Sequence, residues 1–385
     1  MVDKNSATLQ AKTAAELARE AINLLHPDYE RIEEGRLRLQ AVWRWQDAEK
    51  LPILVTGPHH RPATKNSYPY RKFDHVQQIH DRDAMLVEQV WKLPEGQGDS
   101  RGDSQPTVMA DFGTVTVATT FGVKAQLLPH TPPWIGEHLS RKEIAKVIRE
   151  LDPDTAPQRG LTSMAMERSD YFRELLGDKA RVISFNHQSP LDIAYQVRGA
   201  DFLYDLYDDP AFVHEFLDFC TDVYVAVARA FNELINEPAD RSWSDGVAVA
   251  DDVSVLLGPE HFFEFSLPSM RRALKTLGGG LVHFCGDAHH ILDGYLSAPE
   301  VKAINLGQPE LYDPAIVMPR LLAAKTIYSG GWPVHPDESL DDYIRRILEL
   351  SPDRLEGLIL GINRWKFDLP PEDIANRWYA LQEAT

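Results

Sequence analysis

Five side chains that can bind metals or transfer protons fall within eight consecutive positions of the segment GGGLVHFCGDAHHILDGYL (278–296). They are His283, Cys285, Asp287, His289 and His290. In an extended strand, residues two apart point to the same side, so His283 and Cys285 would face one point. Imidazole nitrogen and thiolate sulfur are both good zinc ligands, and Gly286 would let the chain turn sharply away behind them.

The same pair has a simpler interpretation, in which His283 is a buried neutral imidazole and Cys285 is a packed core thiol. Two ligands alone do not define a metal site, so the spacing leaves both interpretations open. His289 and His290 would follow the strand in a solvated helical turn. The other cysteine, Cys220, lies on the apolar stripe of a long predicted helix, where core packing is expected.

Polar residues also follow the other short apolar runs that the sequence predicts to be strands. In a barrel of parallel strands, the C-terminal ends meet at one face, and barrel enzymes place their chemistry there. Polar side chains at so many strand ends predict an enzyme. The candidates are His59, His60, Asp111, Asn186, His187, Gln188, Asp251, Asp252, Asn305, Gln308, Trp332, Asn363 and Arg364. Within the loop at 59–72, Arg61, Lys65 and Arg71 would either bind an anion or simply be solvated.

The elements that position these residues alternate between strands and amphipathic helices. Eight strands separated by helices of this length predict an α/β fold of the (β/α)8 TIM barrel type with additional N-terminal helices. We expect residues 1–45 to form helices packed on a barrel that spans 46–385. The predicted strands are LPILVTG (51–57), a strand near 110–122, RVISFN (181–186), GVAVADDVSVLL (246–257), LVHFCG (281–286), VKAINLG (301–307), KTIYSGG (325–331) and GLILGIN (357–363).

Capping residues mark where several helices begin. Three predicted helices begin with residues typical of helix N-termini: one with Asp209 and Pro210, one with Pro259, and one with Ser339. Two further helices are predicted within residues 7–46 from the spacing of apolar residues at three and four.

Bulk composition restricts the classes of function. The chain has 385 residues, 43% hydrophobic and 25% charged, which is typical of a globular protein. Its formal net charge of −18 disfavours binding to nucleic acid and to anionic membranes. The sequence shows neither an apolar run of the ~18 residues that a membrane span needs nor a signal peptide. Two cysteines are too few for a disulfide framework, so we expect a cytoplasmic location.

Several segments resemble the uroporphyrinogen decarboxylase superfamily. The family's strand ending in Asp-Asp and its Gly-Pro helix start are similar to DDVSVLLGPEHFFEFSLPSMRRAL. Its His-x-Cys-Gly strand is similar to GGGLVHFCGDAHHIL, and its strand ending near Asn is similar to VKAINLGQPE. The segments RLQAVWRWQDAEKLPILV, DFGTVTVATTFGVKA and NHQSPLDIAYQVRGADFLYDLYDDPAFVHEFLDF extend the similarity over most of residues 35–380. The resemblance implies a (β/α)8 barrel.

The superfamily contains at least two chemistries, and the resemblance implies a site for each of these two. Its decarboxylases act on a porphyrinogen without metal and carry an Arg-rich R-Q-A-G-R loop, which this sequence lacks. Its methyltransferases work with a corrinoid protein and bind zinc through His-x-Cys and a later Cys. His283 and Cys285 match the first two ligands, whereas GLILGINRWKFDLPPE contains no Cys. An oxygen ligand such as Asp252 or Asp287 would then complete the set, or the site would be metal-free.

The expected function is therefore a methyltransferase or demethylase that moves a methyl group between a small methylated compound and a corrinoid or thiol acceptor. Zinc is the expected cofactor, a corrinoid protein is a candidate partner, and a homodimer is a candidate assembly. Two alternatives stay open: a metal-free decarboxylase of a tetrapyrrole or another carboxylic acid, with His283 as general acid or base, and a non-catalytic ligand-binding barrel. The predicted residues are His283, Asp252 and Asp111 for catalysis, Gln188, His187, Asn305, Trp332 and Arg364 for substrate, and His283, Cys285 and Asp252 for metal.

Overall fold

The computed structural model describes residues 12–56, 72–93, 101–103, 105–185, 187–236, 244, 246–350, 356–363, 366–367 and 369–383. The strands in this part of the chain are β1 (Ile53–Thr56), β2 (Arg101–Gly102), β3 (Thr107–Val108), β4 (Ala125–Leu128), β5 (Thr131–Ile135), β6 (Arg181–Val182), β7 (Val247–Ala250), β8 (Gly280–Phe284), β9 (Val301–Leu306), β10 (Ile327–Gly330) and β11 (Leu358–Asn363).

The helices surround these strands. They are α1 (Ala14–Leu24), α2 (Tyr29–Trp43), α3 (His75–His80), α4 (Arg82–Val90), α5 (Arg141–Glu150), α6 (Gly160–Leu176), α7 (Pro190–Arg198), α8 (Asp201–Asp208), α9 (Pro210–Ile235), α10 (Pro259–His261), α11 (Leu267–Thr276), α12 (Leu292–Leu296), α13 (Pro314–Ala323), α14 (Leu340–Leu348) and α15 (Pro371–Glu383). A π-helical segment, Phe262–Ser266, joins α10 to α11. None of the described helices combines the length and apolar character that crossing a bilayer requires.

The strand order is that of a TIM barrel. The strands β1, β11, β10, β9, β8 and β7 pair side by side in parallel, and β2 adds to β1 antiparallel. Beyond β7, Gln188 forms a parallel bridge to Ala250, and β6, which precedes Gln188, pairs in parallel with β3. The parallel strands therefore follow one another as β3–β6–β7–β8–β9–β10–β11–β1, and the fold is an α/β TIM-barrel-like fold, as the sequence predicts.

The continuous apolar runs that predict the strands reflect burial of each strand on both of its faces. In β11, Leu358, Ile359 and Leu360 are fully buried, because the barrel interior covers one face and helices cover the other. Helix starts also follow the capping residues. The Asp209 side chain accepts a hydrogen bond from Phe212 N at the start of α9, and Ser339 caps α14 in the same way.

The two N-terminal helices predicted within residues 7–46 are present as α1 and α2. Leu17 and Ala21 of α1 are buried in the common core, against α4. Asp103, directly after β2, ties α2 to the barrel because its buried carboxylate accepts hydrogen bonds from Arg38 Nε and Ile53 N. The division of the chain at residue 45 stays a prediction.

Two predicted strands are wrong in detail. The β-branched run in 110–122 is not a strand: the strand is β3, which comes earlier, and Ala118–Phe121 form a 3₁₀ helix. Threonine hydroxyls stabilise this turn, since Thr116 Oγ1 donates to Gly113 O and Thr119 Oγ1 donates to Thr116 O. Similarly, only the first half of 246–257 is a strand, and Val253–Leu256 form a 3₁₀ helix at its end.

Candidate functional site

Three potential metal ligands converge at the C-terminal ends of β7 and β8. Asp252 follows β7, His283 lies in β8, and Cys285 comes directly after β8. All three are partly buried, and one ligand atom from each lies within 4.8 Å of the others. His283 Nε2 and Cys285 Sγ are 3.4 Å apart, close to the roughly 3.5 Å between two such ligands around a tetrahedral zinc ion. A nitrogen, sulfur and oxygen set of this size fits Zn²⁺ with a fourth position left open.

The imidazole of His283 is oriented by the neighbouring strand. Asn305 of β9 is the parallel partner of His283, and its Oδ1 lies 2.6 Å from His283 Nδ1. The Asn305 amide is itself fixed, because its Nδ2 donates to Ser329 O of β10. Asn305 Oδ1 therefore accepts the Nδ1 proton, and the lone pair of Nε2 faces Cys285 and Asp252. Histidines that bind a metal through one ring nitrogen commonly donate the N–H of the other to such an acceptor.

The Asp252 carboxylate and the Cys285 thiol are linked through the backbone. Cys285 N donates to Asp252 Oδ1 at 2.7 Å, which holds the carboxylate beside the sulfur. Burial, and then the negative charge of Asp252, raise the pKa of the Cys285 thiol. A thiol in these surroundings keeps its proton until a cation offsets the neighbouring charge, as a metal ion would.

The loop after β8 is held away from the cluster. Gly286 adopts a left-handed conformation with φ 97°, and its N–H donates to Gln308 Oε1. Tyr312 Oη donates to Gly286 O at 2.9 Å. Asp287 is exposed and pairs with His289, which lowers the pKa of its carboxyl. Of the two acidic ligands considered from the sequence, the structure therefore brings Asp252, and not Asp287, into the cluster.

Buried carboxylates lie behind the cluster. Asp251 is fully buried and accepts hydrogen bonds from Ser189 Oγ and Tyr295 Oη, both at 2.6 Å. Asp192, in the first turn of α7, accepts from the backbone N–H of Asp252 at 2.9 Å. The sequence pattern does not single out Asp192, because an acid at this position of a helix is ordinary in solvent.

A cavity of about 700 Å³ opens at the ends of β9, β10, β11 and β1, beside the cluster. Gly307 lies between the cavity and the ligand cluster. It lines the cavity, and a Cβ added to it would lie 2.8 Å from Cys285 Sγ. The volume suits a small-molecule substrate. The lining residues are Thr56, Gly307, Pro309, Glu310, Gly331, Trp332, Pro333, Val334, Tyr343, Gly361, Ile362, Asn363, Lys366 and Phe367.

The other predicted site residues are only partly brought together. Trp332 lines the cavity and stacks on Tyr328, with ring centroids 4.6 Å apart. Gln188 is buried where the chain bridges to Ala250 at the end of β7. Asn305 contacts His283, as described above, and so orients the His283 imidazole; its predicted contact with substrate stays a prediction.

His187 and Asp111 make other contacts in the structure. The His187 ring packs against Phe185 and Tyr224 of α9, and burial lowers its pKa to about 4. Asp111 is exposed and accepts a hydrogen bond from Gly113 N at 2.9 Å. Among the described contacts, none joins either residue to the cluster. Cys220 is fully buried in α9, as its helical position predicts.

Some candidates lie outside the described residues. They are Arg364, the strand-end residues His59, His60 and Asn186, and the loop residues Arg61, Lys65 and Arg71. Their predicted roles stay predictions.

Comparison with known proteins shows the family to which the chain belongs. A curated relative, methylcobamide:CoM methyltransferase MtbA of Methanosarcina acetivorans, is 25% identical over 190 residues, which cover 47% of this chain and 52% of the relative. The match thus spans about half the length of that relative. A solved structure of a methyltransferase from Methanosarcina mazei has the same fold, with a TM-score of 0.63 at 14% identity, covering 91% of this chain and 98% of that one. Residues 107–317, more than half of the chain, match the family model for uroporphyrinogen decarboxylase (URO-D). The chain belongs to the uroporphyrinogen decarboxylase family.

Proposed function

We propose that the protein is a zinc-dependent methyltransferase that moves a methyl group between a small methylated compound and a corrinoid or thiol acceptor. The convergence of Asp252, His283 and Cys285 beside an open cavity is the observation that carries the proposal. The name of the Methanosarcina acetivorans relative, which describes methyl transfer between a methylcobamide and CoM, supports the reaction class. A corrinoid protein is accordingly the proposed partner.

Each ligand has a role in this proposal. His283, Cys285 and Asp252 would hold zinc, which when bound acts as a Lewis acid that lowers the pKa of a coordinated thiol or hydroxyl group. Asn305 keeps the proton of His283 on Nδ1, so that Nε2 stays a lone-pair donor. Trp332 and Tyr343 form part of the cavity wall, which leaves room for the substrate next to Gly307.

The two cysteines provide a matched test. Cys285→Ser removes the proposed sulfur ligand, whereas Cys220→Ser changes a fully buried thiol of α9. We expect parent and Cys220→Ser to contain one zinc per chain, measured by elemental analysis, and Cys285→Ser to lose it. Methyl transfer, followed by the absorbance change of methylcobalamin with a thiol acceptor, should fall in parallel with the zinc content.

Membership of the family favours a second candidate, a metal-free decarboxylase. It would be supported if the parent bound no zinc under any condition and Cys285→Ser turned over substrate as well as the parent. Release of CO₂ from a carboxylated substrate would then be the activity to measure, with His283 as general acid or base.

A further inference from the structure

We infer that Asp192 is a positioning residue that preorganises the metal site by holding the backbone of Asp252. The inference rests on the proposed function, since it concerns the residues that would bind zinc. Asp192 is 2% exposed. Its Oδ2 accepts a hydrogen bond from Asp252 N at 2.9 Å, and its Oδ1 accepts one from Val253 N at 2.8 Å.

The contacts of Asp192 differ from those usual for an acid in the first turn of a helix. The carboxylate of an acid in the first helical turn ordinarily faces solvent or the first N–H groups of its own helix. In α7 the N-cap Ser189 already accepts from Asp192 N at 3.0 Å. Both oxygens of Asp192 instead reach a segment sixty residues further along the chain, just after β7. Asp192, in the first turn of α7, thereby holds the segment that carries Asp252.

The segment held by Asp192 carries the oxygen ligand. With the N–H groups of Asp252 and Val253 both bound, the backbone at the end of β7 is fixed, and this sets where the Asp252 carboxylate lies. The same carboxylate accepts from Cys285 N at 2.7 Å. Asp192 therefore acts on the ligand cluster through Asp252, without supplying a ligand atom itself.

Two further contacts make α7 and this segment one unit. Ser189 Oγ donates to Asp251 Oδ1 at 2.6 Å, so two successive acids at the end of β7 are tied to the start of α7. Asp251 N donates to His283 O at 2.8 Å, which connects the unit to β8. The positions of the Asp252 and His283 backbones are thus set together, before any metal binds.

The proposed role requires a carboxylate, because two backbone donors are bound by its two oxygens. In Asp192→Asn, one oxygen still accepts, but the amide NH₂ faces the second N–H group and cannot accept from it. Loss of outer-shell partners of this kind typically weakens metal affinity about tenfold to a hundredfold. We therefore expect Asp192→Asn to weaken zinc binding by about that factor.

The experiment compares zinc dissociation constants of the full-length protein, measured by competition with a chromophoric chelator. Asp103→Asn is the matched control, because Asp103 is also buried and also accepts from a backbone N–H, that of Ile53. It lies directly after β2 and contacts Arg38 of α2, so it is not part of the ligand cluster. Thermal unfolding of the zinc-free proteins reports the stability lost by each variant. The visible spectrum of the Co²⁺-substituted proteins reports the ligand geometry.

We expect Asp192→Asn to bind zinc at least about tenfold more weakly than the parent and to show an altered Co²⁺ spectrum, whereas Asp103→Asn loses stability with parental zinc affinity. Equal zinc affinity of Asp192→Asn and parent would overturn the inference and leave the proposed function standing. A parent that binds no zinc would overturn both. If Asp192→Asn does not fold, Asp192→Ser, which keeps one acceptor oxygen, takes its place with the same expected outcome.

Discussion

Gly307 offers a direct test of whether Cys285 Sγ is a metal ligand. An alanine Cβ at this position would lie 2.8 Å from Cys285 Sγ and 3.1 Å from both Cys285 Cα and Phe284 O. Non-bonded heavy atoms settle at about 3.5–4.0 Å, so the sulfur has to move by roughly 0.7 Å or more, or rotate away. Metal–ligand distances tolerate only about 0.2 Å. Gly307→Ala should therefore disrupt zinc binding.

The magnitude separates this effect from general destabilisation. Overpacking of this kind costs about 1–3 kcal/mol of folding free energy, which a domain of this size can sustain. Zinc affinity, by contrast, should fall by at least the tenfold to hundredfold that follows the loss of an outer-shell partner, since here a ligand itself is displaced. We would measure zinc affinity by chelator competition and stability by urea unfolding of the zinc-free proteins.

Gly258→Ala is the matched control for this substitution. Gly258 precedes α10 with φ −64°, and a Cβ there would meet nothing within 4 Å. The control should bind zinc as the parent does. The reasoning is refuted if Gly307→Ala also binds zinc with the parental dissociation constant, because a sulfur that moves by this distance without effect is not a ligand.

Three further predictions concern the acidic ligand, the orientation of His283 and the buried His187. Asp252→Asn should lose most of the zinc affinity and Asp287→Asn should keep it, by chelator competition, and the reverse result would make Asp287 the ligand. Asn305→Leu should weaken zinc binding about tenfold or more while His283 stays in place, and unchanged affinity would show that the Nδ1 contact does not matter. Burial lowers the pKa of His187 to about 4 from 6.5. Between these two values the imidazole is protonated in the unfolded chain but neutral in the folded one. The free energy of unfolding therefore falls by about 3 kcal/mol as the pH falls through this window. His187→Gln should lack that component in urea unfolding at pH 4 to 7, and identical pH profiles would contradict it.

The barrel is predictable because its strands are buried on both faces. Apolar runs such as 301–307 and 357–363 are continuous, and each coincides with a parallel strand, β9 and β11. The error at 110–122 has a different origin. Its alternating threonine and valine residues are typical of strands, but the threonine hydroxyls bind backbone carbonyls three residues back, and this local preference is not visible in hydrophobic periodicity.

The ligand cluster is predictable to the extent that it depends on local geometry. His283 and Cys285 are two apart at a strand end, and Asp252 follows the adjacent strand. Asp192 is not predicted from the sequence, because the role proposed for it depends on how the start of α7 packs against the end of β7, sixty residues away. The His187 ring packs against α9, and the contact with substrate that its place after a strand predicts stays a prediction. Sequence spacing cannot determine which face such a residue presents.

The position of Asp252 explains how a site without a second cysteine ligand can leave space for a substrate. The resemblance implies a later Cys near the last strand, where this chain has Asn363 instead. In the site proposed for this chain, the third ligand comes from β7, directly beside β8, so all three ligands lie on one side. In that site, the described residues at the ends of β10, β11 and β1 would supply no ligand, and they line the cavity of about 700 Å³ instead. A carboxylate from the neighbouring strand would thus complete a three-ligand set, and Asn363 would stay in the cavity wall for contact with the substrate.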